Sequence, residues 1–314
     1  MLSDATCQRI GAKSSACTVC GATRLEEIQR DPANHTGGTE ITGKKDASCT
    51  ADGYTGDTYC KGCGQLISKG SAIPALGHSW QEATYTAPKT CARCGATEGK
   101  SLEVPFKVGD VIAFGRYPQS ASGGDSTPIE WIVLDIDDGR ALLLSRYGLD
   151  EKPYNTEYVD ITWEQCSLRK WLNGEFLNEA FSAHEQAKIA ETRISNPNNS
   201  AFGTAGGNAT ADRVFLLSIG EANRYFKTDD DRTAKPTPYA AKNGAYVVTA
   251  EAIREYDWLE QEHEGNCTWW LRSPGGDRGL AAAVDDDGTV YDYGRIVNQD
   301  IFAVRPAFWL NPES

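Results

Sequence analysis

Cysteine and histidine residues with metal-ligand spacing are concentrated near the start of the chain, where eight of the ten cysteines lie within the first 94 residues. Three stretches share one plan, in which a lone Cys is followed about ten residues later by C-x-x-C-G. They begin at Asp4, Asp46 and Glu82, and the third carries Tyr85 where the others carry the lone Cys. This self-similarity indicates small modules in series.

Each module has few large apolar residues, and units this small need a metal ion or a disulfide to hold them together. Three Cys and one His form a closed tetrahedral zinc set, in which C-x-x-C supplies two ligands from one turn. The sequence therefore predicts a structural zinc site in each of the first two modules, with the ligands Cys7, Cys17, Cys20 and His35 and the ligands Cys49, Cys60, Cys63 and His78. The alternative is one disulfide per module with a spare thiol, which suits an extracellular protein.

The assignment of the histidines to modules is open, because spacing allows His35 to serve the module before it or the one after it. The third module is expected to bind metal weakly or not at all, since Tyr85 cannot readily replace a thiolate. The cysteine pattern stops near residue 102, which predicts Cys-rich, zinc-ribbon-like modules over 1–102 (about 1–36, 37–78 and 79–102) and a conventional domain over 103–314.

The composition argues against two classes of function. A formal net charge of −13 disfavours binding to a nucleic-acid backbone. No apolar run approaches the roughly 20 residues that a membrane-spanning helix needs. The opening sequence MLSDATCQRIG has neither the basic nor the apolar region of a signal peptide, so an exported form is expected to have a different native beginning.

The second part of the chain mixes strand and helix patterns. Residues 110–117, 129–136, 140–147 and 213–218 read as strands, and 197–211 reads as a long surface loop. Capping boxes predict helices that begin at Thr162, Ser182 and Ser218. There is no regular alternation of strand and helix, which indicates an α+β fold.

Several motifs stand in order over this part: FGRYPQS (114–120), PIEWIVL (128–134), SLRKWLN (167–173), FLLS (215–218), WWLRSPG (269–275) and VRPAFWL (304–310). On these motifs the chain resembles a domain family of unassigned function that is common in secreted proteins of gut Firmicutes. That family is similar to the C-type-lectin-like fold of formylglycine-generating enzymes and of the variable proteins of diversity-generating retroelements. The resemblance implies that the first and last strands of the domain are neighbours, and the modules resemble Cys-rich repeats of bacterial cell-surface proteins.

The resemblance also implies a binding face near the C-terminus, where retroelement variable proteins carry diversified positions on a fixed frame. The residue types between the frame positions suit the spectrum of adenine mutagenesis, and the predicted ligand contacts are Asp277, Arg278, Leu280, Asp285, Asp287, Tyr291, Tyr293, Arg295 and Ile296. Strand alternation in TVYDY places Tyr291 and Tyr293 on one face, and exposed Tyr beside Arg is typical of a paratope. The alternative is a solvated meander in which DDDG merely makes a turn.

The predicted function is therefore non-enzymatic recognition of a protein or carbohydrate ligand at the cell surface or outside the cell. One alternative is an oxidoreductase like the formylglycine-generating enzymes, which needs a reactive cysteine pair. The domain has only Cys166 and Cys267, and Cys166 lies on the apolar face of a predicted helix, where an inert thiol is typical. The other alternative is a structural adhesin or stalk domain. His263 is expected to be solvated, and Arg272 and Arg305 to be paired structural residues.

Overall fold

The computed structural model describes residues 2–84, 87–124 and 126–312. The chain divides into two compact units: unit 1 comprises Met1–Glu82 and Lys89–Gly99, and unit 2 comprises Ala83–Pro88 and Lys100–Ser314. Within the described ranges, no helix is long and apolar enough to cross a membrane.

Unit 1 consists of short strands joined by tight turns. The strands are β1 (Gly11–Ala16), β2 (Thr23–Ile28), β3 (Thr39–Thr42), β4 (Gly53–Tyr54), β5 (Asp57–Cys60), β6 (Leu66–Ser68), β7 (Ala72–Ile73), β8 (Trp80–Gln81), β9 (Lys89–Cys91) and β10 (Thr97–Glu98). They form a β1-β2 hairpin, a β4-β7 pair and two three-stranded sheets, β3-β5-β6 and β8-β9-β10. Most of their side chains are exposed, so apolar burial stabilises this unit little.

Unit 2 contains the longer elements. Its strands are β11 (Val111–Tyr117), β12 (Thr127–Asp137), β13 (Arg140–Ser145), β14 (Asp150–Glu151), β15 (Thr192–Ile194), β16 (Thr210–Asp212), β17 (Trp269–Pro274), β18 (Leu280–Val284), β19 (Val290–Ile296), β20 (Ala303–Val304) and β21 (Ala307–Leu310). Its helices are α1 (Ser167–Trp171), α2 (Leu177–Ala180), α3 (Ala183–Lys188), α4 (Ile219–Tyr225), α5 (Asp229–Arg232), α6 (Pro238–Asn243) and α7 (Ala250–Glu255). A π-helical turn, Leu172–Phe176, joins α1 to α2, and Gln261–His263 forms a 3-10 turn.

Two larger sheets organise unit 2, with strand orders β11-β12-β13-β21 and β14-β20-β17-β18-β19. The mixture of helices with mainly antiparallel sheets confirms the predicted α+β class. The expectation that the first and last strands are neighbours is wrong, because β21 pairs with β13 while β11 lies at the opposite edge of the same sheet. The apolar runs RALLLS and AFWL are both largely buried and pair with each other. The neighbour of β21 is therefore β13 and not β11.

The core of unit 2 is rich in tryptophan. Trp131, Trp163, Trp269 and Trp270 are fully buried. Their polar N–H groups are satisfied; Trp163 donates to Asp212 at 2.9 Å, for example. A buried indole that keeps its hydrogen bond adds apolar area without an unpaired donor, so these residues hold the two sheets and α1 in one core.

The helix starts follow the capping boxes in two of three places. Ser182 and Ser218 cap α3 and α4, each with a Glu at the third position, as predicted. The predicted start at Thr162 is wrong, since Thr162 begins a turn and α1 starts at Ser167 with Cys166 as its N-cap. The predicted strand over 213–218 is reduced to one bridge between Phe215 and Ala307, because the segment turns at once into α4. The long loop ends at residue 209, and β16 begins at Thr210.

Candidate functional site

Two clusters of three Cys and one His lie in unit 1, Cys7 with His35, Cys60 and Cys63, and Cys49 with His78, Cys91 and Cys94. Within each cluster the potential ligand atoms all lie within 4.8 Å of one another, so each could hold a metal ion. All ten cysteines of the chain are free thiols.

The spacing of the ligand atoms fits a tetrahedral ion. At usual zinc distances, two sulfurs are separated by about 3.8 Å, and sulfur and nitrogen by about 3.6 Å. In the first cluster the Sγ atoms of Cys7 and Cys60 are 3.9 Å apart, and the Cys63 Sγ is 3.5 Å from the His35 Nδ1. The Cys49–Cys91 and Cys94–His78 distances in the second cluster are 3.9 and 3.4 Å. Both sets therefore match the edges of one tetrahedron.

Hydrogen bonds favour the thiolate form of Cys60 and Cys91, the first thiols of the two C-x-x-C pairs in the clusters. Burial raises the pKa of Cys60, but the backbone N–H groups of Cys63 and Gly62 outweigh it and lower the pKa to about 6. Burial also acts on Cys91, and a side-chain hydrogen bond from His78 with backbone N–H groups lowers its pKa to about 5. Metal ligation requires the thiolate form, which these donors stabilise.

The predicted grouping of ligands within a module is wrong. Cys7 and His35 meet the C-x-x-C pair of the second module, and Cys49 and His78 meet that of the third. Cys17 and Cys20 belong to neither cluster. The reason is geometric: Cys7 precedes β1 and Cys17 follows it, and a six-residue strand separates its ends by about 20 Å.

The third module is therefore not deficient in ligands, contrary to expectation. Its pair, Cys91 and Cys94, completes a full set with residues of the second module. Tyr85, on which the expectation rested, lies outside the described residues. The sequence carries the signal for both Cys91 and Cys94, because the third C-x-x-C pair has the same form as the other two.

A second candidate site lies on β19, an edge strand of the five-stranded sheet in unit 2. The carboxylate of Asp285 accepts two hydrogen bonds from Arg295, at 2.8 and 2.7 Å. The Arg295 guanidinium lies 4.4 Å from the centre of the Tyr291 ring. Tyr291 contacts Tyr293 at 6.3 Å between ring centres, and Tyr293 contacts Phe202 at 5.5 Å. These five residues form one contiguous group, here called the β19 face.

A cleft of about 420 Å³ adjoins this face at the turn between β18 and β19. It is lined by one guanidinium, that of Arg295, and by the four carboxylates of Glu260, Asp285, Asp286 and Asp287. Burial raises the pKa of Asp286, and the charges of its two Asp neighbours raise it further. Burial likewise raises the pKa of Asp285, although Arg295 opposes the shift. The cleft thus concentrates negative charge in a partly desolvated space.

The nine predicted contact residues are exposed or half-buried in the structure. Asp285, Tyr291, Tyr293 and Arg295 belong to the β19 face, and Asp287 lines the cleft. The other four, Asp277, Arg278, Leu280 and Ile296, lie toward the opposite end of the β18–β19 hairpin, where Leu280 pairs with Ile296.

A scan of protein families matches residues 138–312, more than half of the chain, to a domain of unknown function, DUF6273. The chain belongs to the DUF6273 family. No curated protein and no solved structure matches it. The DUF6273 match contains the β19 face and the cleft, whereas both Cys/His clusters precede it.

Sequence reasoning missed several residues of the β19 face and of the cleft. Phe202 joins the β19 face from the long loop, and Trp258, 69% exposed, lines the cleft from the segment after α7. His263 was expected to be solvated, but its side chain is only 14% exposed and lines the cleft. No local pattern marks these residues, because each reaches the site through a loop that is distant in sequence.

The two arginines of the frame strands have different environments. Arg272 is paired as predicted, with the Glu221 carboxylate at 3.0 Å from its Nη2. Arg305 donates instead to the carbonyl groups of Ser145 and Arg232 and lies 5.0 Å from the Trp269 ring. Burial lowers the pKa of Arg305 to about 10. Both side chains act within the core of the DUF6273 domain, away from the cleft.

Proposed function

We propose that this protein is a non-enzymatic recognition protein, displayed at the cell surface or secreted, whose ligand contacts lie on the β19 face and in the adjoining cleft. One observation carries the proposal. The resemblance assigns to the frame the positions Trp269–Gly275, Ala281, Ala282, Val284, Gly288, Val290, Gly294 and Val304–Leu310. All of them are buried except Val290 and Trp309, which are half-buried, whereas none of the nine predicted contact positions is buried. A fixed core that carries an accessible polar and aromatic hairpin is the arrangement of a binding scaffold.

The β19 face has the composition of a binding hot spot. Its two Tyr and one Phe supply large areas that are rigid, since aromatic side chains lose little conformational entropy on binding. Arg295 is already held by Asp285 and Tyr291, so little further ordering is needed when a ligand contacts it. This preorganisation favours recognition over a merely solvated strand.

The charge of the cleft favours a cationic group. Its four carboxylates exceed the one guanidinium, and Tyr246, Trp258 and Phe302 provide apolar and aromatic walls. A Lys or Arg side chain combines an apolar stem with a charged head, and a cation gains further from an aromatic ring. We therefore propose a protein ligand that inserts a basic side chain, in preference to a neutral carbohydrate.

The test is a set of peptides selected from a display library on the wild-type protein and then measured by calorimetry. A selected peptide is expected to bind through a Lys or Arg, whose replacement by Gln weakens binding by about tenfold or more, and Asp286→Asn should weaken it comparably. Asp137→Asn, an exposed carboxylate on β12, is the matched control and should leave affinity unchanged. Selection of uncharged peptides only, or binding of glycans without peptide, would refute the cationic ligand.

The two thiols of unit 2 support a non-enzymatic role. Burial raises the pKa of Cys166 and of Cys267 to about 12. A thiol of that pKa is almost fully protonated at neutral pH and is a poor nucleophile. Alkylation of the native protein should accordingly leave both thiols unmodified, and rapid modification of either one would favour the oxidoreductase alternative.

We also propose that the β18–β19 hairpin is diversified and that the domain is C-type-lectin-like. The proposal predicts a nearby non-coding repeat that nearly duplicates the codons for 269–310 and differs mainly at adenines. Absence of that repeat would refute diversification and would leave a fixed binding face possible. The lectin-like part of the proposal rests on the sequence motifs, since the pairing of β21 with β13 departs from the strand arrangement that the resemblance implies.

Zinc is the ion we propose for both Cys/His clusters. Three sulfurs and one imidazole nitrogen at tetrahedral spacing suit zinc, and hard cations such as calcium or magnesium prefer oxygen. Unit 1 has little buried apolar area, so the ions would supply most of its stability. Purified protein, expressed under reducing conditions, should retain two zinc ions per chain; oxidation to disulfides without bound metal would refute this.

A further inference from the structure

All three C-x-x-C pairs of unit 1 form the same hydrogen-bonded knuckle at a hairpin turn. Cys17 donates its N–H to Ala22 and accepts from Gly21, at 2.8 and 3.0 Å. Cys60 makes the equivalent bonds at 2.9 and 2.8 Å, and Cys91 makes them at 2.8 and 2.9 Å. The glycine that ends each knuckle has a φ of 70°, 74° or 73°. The first C-x-x-C pair therefore has the same backbone turn as the two pairs that belong to clusters.

The preceding repeat, counted from Asp4 or from Asp46, completes the second and third knuckles in two ways. It supplies one Cys and one His, spaced 28 residues apart in Cys7 and His35 and 29 in Cys49 and His78. It also supplies the strand that follows the His, because β3 pairs with β5 and β8 pairs with β9. Each closed site thus combines metal ligation with the addition of an edge strand.

The first knuckle lacks both contributions among the described residues. Its hairpin is two-stranded, and Ser3 bridges β1 only at Ala12. Residues 14–17, which correspond to the β3-paired part of β5, have no strand on that edge in the part of the chain that the structure describes. Cys17 is exposed, whereas its equivalents Cys60 and Cys91 are buried. Val19 is 92% exposed, while the equivalent Gly62 and Arg93 bond to the preceding repeat, through Gln8 and through the carbonyl groups of Leu76 and Gly77.

We propose that Cys17 and Cys20 form half of a third zinc site, which is completed by a Cys and a His of another repeat of the same type. That partner repeat also adds its following strand to the edge of β1, as β3 does to β5. The metal would be held by three thiolates and one imidazole, and the thiols release their protons as they bind it. Unit 1 is thus an array of repeats to which a further repeat can bind, and the docking surface lies on its first repeat. This inference rests on the proposal that the two clusters hold zinc.

The test uses the full chain and zinc alone. The double substitution C60S/C63S frees Cys7 and His35, so one chain then carries both a donor half and the acceptor pair Cys17 and Cys20. Zinc should make this variant associate into oligomers, and the added pair C17S/C20S on the same chain should abolish the association. Sedimentation with zero to three zinc equivalents per chain measures the outcome. Both variants lack the same cluster, so loss of that cluster cannot explain a difference between them.

The wild-type chain provides an independent measurement. It should bind a third zinc equivalent at least about 10²-fold more weakly than the first two, because that site has only two protein ligands, and C17S/C20S should remove it. A monomeric C60S/C63S chain that binds zinc tightly would overturn the inference, since its own Cys7 and His35 would then reach Cys17. Zinc-dependent dimers of the wild type would indicate a four-thiolate site between two copies and would also overturn it. Wild type that retains no zinc at all would refute the zinc proposal itself.

Discussion

Replacement of Cys7 by Ser should weaken zinc binding at a site whose other cysteines are more than fifty residues away in the sequence. The Cys7 Sγ lies 3.9 Å from the Sγ of Cys60, which is 53 positions later in the sequence. The matched substitution Cys17→Ser removes a thiol that is nearer to Cys7 in the sequence but belongs to neither cluster. The pair of variants therefore distinguishes ligation between modules from ligation within a module.

The magnitude follows from the ligand count. Structural zinc in a four-ligand site of a small domain binds with about 10–16 kcal/mol at neutral pH, so each ligand carries roughly 2.5–4 kcal/mol. Loss of the Cys7 thiolate should therefore weaken one of the two sites by about 10² to 10³-fold. The second site, formed by Cys49, His78, Cys91 and Cys94, shares no ligand with the first and should keep its affinity. Cys17→Ser should leave both tight sites unchanged.

Competition with a chromogenic chelator measures the two affinities in one titration. Wild type and Cys17→Ser should both retain two zinc ions at a chelator concentration that strips one ion from Cys7→Ser. Unfolding of unit 2, followed through its buried tryptophans, controls for general damage. Equal weakening by Cys7→Ser and Cys17→Ser would refute the assignment of ligands across modules and restore the grouping within modules.

Three further results are expected. Arg295→Ala should lower the free energy of unfolding of unit 2 by about 1–3 kcal/mol, because it leaves the half-buried Asp285 carboxylate without its two charged hydrogen bonds. Tyr293→Ala, at an exposed position, should lower it by less than about 1 kcal/mol. Urea titration measures both losses, and equal losses would contradict the ion pair. Burial raises the pKa of Glu151 from 4.5 to about 7, so the folded state holds its proton more tightly and stability should fall as pH rises between these values. Glu151→Gln should remove that slope and stabilise the protein at pH 8 by up to about 3 kcal/mol, and an unchanged slope in urea titrations at pH 4.5–8 would argue against it. Zinc removal by a chelator should expose the amides of unit 1 to hydrogen exchange and leave those of β17 and β18 protected, and loss of protection in both units would contradict their independent stabilisation.

The sequence determined the elements whose residue patterns are local. The strands predicted at 110–117, 129–136 and 140–147 correspond to β11, β12 and β13, and the capping boxes at Ser182 and Ser218 start α3 and α4. A capping box or an alternating apolar run acts through neighbours three or four residues away, so it can be read without the fold. The repeat plan likewise identified Cys and His as the residue types of the potential metal ligands.

Tertiary structure decided which of those ligands meet. The spacing of Cys7, Cys17, Cys20 and His35 looks complete within one module, but β1 carries Cys17 to the far end of a hairpin. The next module brings its own knuckle to Cys7 because β3 adds to β5, a contact that no local pattern specifies. The cleft has the same origin, since Trp258 and His263 line it with Asp286 from the segment between α7 and β17, and Phe302 does so from the segment before β20. Sequence fixes what each residue can ligate or bury, whereas the partners of long-range contacts are set by how the strands pair and pack as a whole.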